Sequence, residues 1–164
     1  MHHPHVNADR LVRLVVEHSS ARIRAYWAAV ATWHAKDRRF ARLLHGYAGP
    51  ALDLLPVGTA FQLERRGEDP RFAGTALRVP AGTLRDRAAD VLAPAALVRL
   101  HPGYANRVRM GPSWRADVWT VLERDPGLSV AEAARRVGCS FGTAWLVAGD
   151  FSLMRQVEQT PPPV

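Results

Sequence analysis

Three histidines open the chain. Imidazoles two or three positions apart, as in His2, His3 and His5, can share a metal ion. At a chain end beside Pro4 they read instead as an unstructured tail. His18, His34 and His45 are separated by sixteen and eleven residues, so no pair is close enough to build a site on one helical face, and they read as surface or capping groups. Cys139 is the single cysteine and cannot form an internal disulfide. As a nucleophile it would need a neighbouring cation to lower its pKa; a small apolar role suits it better. The carboxylates are scattered, and no pair is placed for acid–base work. No phosphate-cradling glycine loop, Cys-x-x-Cys, His-Glu-x-x-His or nucleophile elbow occurs. The expectation is a protein that is not an enzyme, with no catalytic residue, no metal and no cofactor.

That leaves the cations. The net charge is +7, and Lys36 is the only lysine among 22 basic residues. Arginine, alanine, valine and glycine are plentiful, as GC-rich coding in a bacterium or phage would produce. A basic chain meets polyanions, because phosphates attract arginine and release counterions. The excess is uneven: residues 1–50 hold eight basic and three acidic side chains, residues 107–155 seven and five. Arg22, Arg24, Trp27, Trp33, Arg38 and Arg39 could stack and grip single-stranded nucleic acid, although the tryptophans fall on an apolar stripe that favours burial. No run of eighteen apolar residues occurs and MHHPHVNADR lacks the apolar centre of a signal peptide, so no membrane span and a cytoplasmic location are expected.

The elements that must position these groups are mainly α-helical. Residues 8–48 carry apolar residues three or four apart, the period of one long helix or of a helix broken near His18-Ser19-Ser20; a protruding helix would pair two copies into a homodimer. Asn7 is a suitable N-cap, and Ser19 or Ser20 would cap a second helix. Residues 51–106 form a smaller middle region. TAFQLERRG and FAGTALRVP alternate in part, as a β-hairpin would. Thr83 with Asp86 marks a helix start over TLRDRAADVLAPAALVRL, which Pro94 should kink. HPGYANRVRMGPS reads as a loop and the boundary of a third domain, 107–155. Residues 156–164 read as a flexible tail.

The third domain is the best marked. SWRADVWTVLERDPG has the stripe Trp114, Val118, Val121 and Leu122. Ser129-x-x-Glu132 is a capping box, Val130, Ala133, Ala134 and Val137 face inward, Gly138 permits a left-handed helix end, and Ser140 caps the next helix. Ala134 and Ala144 allow a close, steep crossing.

Residues 114–151 resemble the three-helix core of bacterial helix-turn-helix DNA-binding proteins, on Ala134, Gly138, Ser140 and Val147. The resemblance covers about a quarter of the chain and implies duplex DNA as partner and transcription regulation as role. The last helix would lie in the major groove, with Ser140, Phe141, Gly142, Thr143, Trp145 and Leu146 toward the bases. Arg115, Arg135 and Arg136 would meet phosphates, with Arg107 and Arg109 nearby. One departure stands out: from Ser140 to Gly149 there is no Arg, Lys, Asn, Gln or Glu to read a base edge. Phe141, Trp145 and Leu146 therefore fit two other uses as well, burial under the N-terminal helices or an exposed patch for a protein partner.

Overall fold

The computed structural model describes residues 3–85 and 87–159, and the fold is mainly α-helical. Asp86, His2 and Thr160–Val164, which carried the expected cap partner, part of the histidine tract and the end of the tail, lie outside the described residues. The chain divides into two compact units, residues 11–91 and residues 1–10 with 92–164, and the division falls inside the first helix, α1 (Ala8–Val16).

In the unit of residues 11–91 the expected break is present. Ser20 Oγ accepts the Ile23 amide and starts α2 (Ala21–Trp33), while His18 Nδ1 accepts the Ser20 amide at 3.0 Å. After α2 come a 3₁₀ turn at Arg38–Phe40 and the short α3 (Ala41–Leu44). The single long helix over 8–48 is thus replaced by shorter pieces, with Asn7, Ser20 and Asp37 capping α1, α2 and the 3₁₀ turn.

The middle region is not a hairpin. TAFQLERRG forms α4 (Thr59–Arg66), entered through Gly58 at φ 79° and ended by Gly67 at φ 75°. Its alternation is only a few residues long, and Gln, Leu, Glu and Arg are good helix formers, with Arg65 and Arg66 at the end that the helix dipole favours. α4 is the crossover between β1 (Leu52–Asp53) and β2 (Leu77–Arg78), which pair in parallel with Leu52 opposite Leu77. Parallel pairing needs such a helical crossover, whereas a hairpin does not. Ala25, Ala29, Phe72, Leu77 and Val79 form the core here.

Of the arginines and tryptophans weighed for single-stranded nucleic acid, Arg38 stays exposed and the others make contacts within this unit, Arg24 to the His18 carbonyl among them. Trp33 donates to the Arg71 carbonyl and packs edge-on to Phe72. Trp27 stands edge-on to Tyr26. Arg22 Nε donates to the Asp53 carbonyl, and Arg39 forks onto Asp37.

In the other unit most helices start at a proline or at a capping serine. Pro94 begins α5 (Pro94–Leu100) and Pro102 begins α6 (Pro102–Met110). The expected helix from Thr83 and the expected loop at 101–113 are both corrected by the same physics: proline is unfavourable inside a helix but suited to its first turn, where its missing N–H has no partner to lose. α7 (Trp114–Arg124), α8 (Val130–Val137) and α9 (Phe141–Gln159) follow. α9 continues past 155, so Gln156–Gln159 belong to a helix and not to a tail. At the front of the unit, Asn7 Oδ1 caps α1 by accepting the Arg10 amide. His3–His5 form a 3₁₀ turn with the His5 ring edge-on to Tyr104, 5.4 Å between centroids, so this part of the tract is packed down.

Candidate nucleic-acid interface

α7, α8 and α9 close around one core of Val118, Leu122, Ala133, Ala134, Val137, Ala144, Val147 and Phe151. Trp114, Val121, Val130 and Cys139 pack against its edge, which gives Cys139 the small apolar role expected of it. α7 is buried on a second side through Ala116, Asp117 and Thr120, because α6 covers it there, with Asn106 Nδ2 donating to Thr120 Oγ1.

The turn between α8 and α9 is made by three residues. Gly138 adopts φ 84°, ψ 27°, and its amide and that of Cys139 both donate to the Ala134 carbonyl, which closes α8 within one residue. Ser140 Oγ then accepts the Thr143 amide at 3.1 Å and starts α9. The chain bends by 119° between the two helices, within the range of helix-turn-helix pairs. Buried Ala144 sits where a larger side chain would hold the helices apart. Of the Ser129–Glu132 capping box only one half forms. Ser129 Oγ accepts the Glu132 amide, but the Glu132 carboxylate turns to arginines instead of reaching back.

α9 presents an uncovered apolar face. Phe141 is 58 % exposed, Trp145 60 % and Leu146 63 %, so the helices packed around α9 in its own unit leave these side chains uncovered. The face continues beyond the expected residues through Leu153, Met154 and Val157. Gly142 and Gly149 lie along its centre, where a Cβ would meet nothing within 4 Å. The 3.6-residue period carries this signal, since 142, 149 and 153 fall opposite the buried 144, 147 and 151. Among the described residues no single helix is long and apolar enough to cross a membrane; α8 and α9 reach that composition only together, across their bend.

The polar groups of the site are largely committed to each other. The hydroxyls of Ser140 and Thr143 lie 2.9 Å apart and hydrogen-bond together. Glu132 receives Arg135 through Nε at 2.7 Å and Nη2 at 2.6 Å, and Arg136 through Nε at 2.8 Å. Arg135, then Arg136, hold the Glu132 carboxyl down to about 2 by these hydrogen bonds, and Glu132 in turn raises Arg135. Arg136 also approaches Asp125 at 3.6 Å. Arg115 pairs with Asp150 and lies over the Trp119 ring. The expected phosphate-binding set Arg115, Arg135 and Arg136 is therefore exposed but ion-paired. Arg107 is drawn inward, with Nε donating to buried Asp117 at 2.9 Å, while Arg109 stays exposed. Sequence spacing alone did not separate these behaviours, because Asp150 is 35 residues from its partner Arg115.

Among the described residues no three His, Cys, Asp or Glu side chains gather as a metal site. Comparison of the chain with protein-family models, with curated proteins and with solved structures finds no match.

Proposed function

We propose that α7–α9 form a duplex-DNA-binding module of a regulatory protein, with α9 in the major groove and arginines on the flanking phosphates. The observation that carries this reading is the 119° turn that holds α9 apart from α8 with its outer face uncovered. The contacts available are apolar, Phe141 and Trp145 against thymine methyls and sugar edges, so sequence discrimination is weak and affinity comes from Arg115, Arg135 and Arg136. Their carboxylate partners do not forbid this. Exposed ion pairs are worth at most about 1 kcal/mol, and a guanidinium can exchange one oxyanion for another.

Fluorescence anisotropy with a labelled duplex tests the reading. Two to three phosphate contacts give a salt slope of about −1.8 to −2.7, a roughly 12- to 40-fold loss of affinity between 50 and 200 mM salt. No binding at 50 mM salt refutes it.

The exposed apolar face supports a second reading, a protein partner docked on Phe141, Trp145 and Leu146, since desolvated aromatic anchors are what protein interfaces use. The two readings separate on variants. Arg135→Ala with Arg136→Ala weakens a DNA complex and leaves a protein complex intact, whereas a protein complex depends on Trp145 and is insensitive to salt.

A further inference from the structure

The unit that contains α7 also holds an open cleft of about 410 Å³, away from the face of α9. Its charged lining is three guanidiniums, Arg10, Arg107 and Arg124, against the single carboxylate of Asp117. Asp117 is 1 % exposed through its side chain and is already well satisfied. Asn7 Nδ2 donates to Oδ2 at 2.8 Å, and Arg107 forks onto Oδ1. Arg10 reaches it only as an ion pair at 3.4 Å, and Arg10 Nε is buried without a hydrogen-bond acceptor. A buried unpaired donor on a cation is costly, and native proteins keep few of them without a use. Arg124 is exposed at the cleft, and no ion pair holds it among the described residues. One carboxylate therefore faces three cations, and two of the three have donors to spare.

The first turn of α6 contributes to the same cleft through His101, Gly103 and Tyr104. The helix begins with Pro102 and its cap residue His101 makes no side-chain capping bond, so the positive end of α6 adds to the field. The remaining wall is formed by Leu97, Val121 and the Tyr104 ring, with Thr120 beside them, its hydroxyl already donating to the Ala116 carbonyl. The volume falls within the range of small-molecule sites, larger than a bare oxyanion needs.

We infer that this cleft binds a small phosphomonoester, its phosphate between Arg10, Arg107 and Arg124 and its organic body against Leu97, Val121 and Tyr104. Guanidiniums suit a phosphate because they donate in a planar fork. Asp117 acts as the fixed post that aims Arg10 and Arg107; it is a positioning residue and touches no ligand. The cleft is assigned from its own side chains and does not depend on the DNA reading.

The test uses the full chain, without DNA, titrated with inorganic phosphate and separately with phenyl phosphate at constant ionic strength, followed by amide chemical shifts. Both probes should saturate, with shifts centred on 101–107 and 117–124 and with phenyl phosphate the tighter. Arg124→Gln, which breaks no ion pair, should weaken phenyl phosphate by about fivefold, and Arg155→Gln, outside the cleft on α9, should leave it unchanged. Three results overturn the proposal: no saturable response to phenyl phosphate, equal loss in Arg124→Gln and Arg155→Gln, or shifts centred on α8 and the start of α9. The last would place the anion at the surface proposed for duplex phosphates.

Discussion

Glu132 is the side chain whose removal should improve DNA binding. It is half-buried and holds both Arg135 and Arg136 at hydrogen-bond distance, so a phosphate approaching the two guanidiniums meets a carboxylate between them. Glu132→Gln removes that charge and keeps the backbone amide that donates to Ser129 Oγ, so α8 remains capped. One repelled phosphate contact at about 4 Å in water is worth roughly fivefold in affinity. The recovered cation also steepens the salt slope by about 0.9, which reduces the gain about 3.5-fold between 50 and 200 mM salt. The variant should thus bind a duplex about fivefold tighter than the parent at 50 mM and only about 1.4-fold tighter at 200 mM. Anisotropy titration at both salt concentrations measures this. A variant that binds more weakly, or whose advantage does not change with salt, would refute the placement of Arg135 and Arg136 on phosphates.

Gly138→Ala forces a side chain into φ 84° and should cost about 1–2 kcal/mol in urea denaturation; an unchanged midpoint would mean that the turn is not strained as described. Asp117→Ala leaves Asn7 and Arg107 without their acceptor. With Arg107 and Arg10 about a quarter to a third exposed, water relieves part of the loss, so about 3 kcal/mol of destabilisation is expected, the low end for a broken buried pair. Acid unfolding should carry a signature of Glu132. Its folded carboxyl sits at about 2 against an ordinary 4.5, so the unfolded chain takes up the proton first. The stabilisation is complete above pH 4.5 and is lost as pH falls toward 2. Glu132→Gln should flatten the stability profile in that window, because it removes the stabilisation that the parent holds above pH 4.5 and leaves the two chains alike near pH 2; a profile identical to the parent's would contradict the pairing.

The three-helix unit was legible because its signals are local: Ser129 and Ser140 each bond an amide three residues on, and Gly138 needs only its own φ. The break before Ser20 was legible for the same reason. The middle region was not, since a five-residue alternation in TAFQL carries less weight than the helix formers that follow it, and the parallel partner of β1 lies 25 residues away. α6 was hidden by its own Pro102-Gly103, a pair that signals a loop in sequence and here begins a helix. Which arginines are engaged was also out of reach: Arg115 with Asp150 and Asn7 with Asp117 meet across 35 and 110 residues. The apolar character of α9 was plain from its composition, but only the packing of Ala144, Val147 and Phe151 decided that Trp145 points outward.

The most direct measurement of what α9 meets is a crosslink from Gly142, at the centre of its open face. Gly142→Cys in a Cys139→Ser background, carrying a short photo-crosslinker, places the probe where, beyond the adjoining residues and the backbone of its own helix, nothing lies within 4 Å. With a saturating duplex at low salt, a crosslink to bases on the major-groove side is expected, and it disappears at high salt. A crosslink to protein alone, with the duplex present and unmodified, would contradict it.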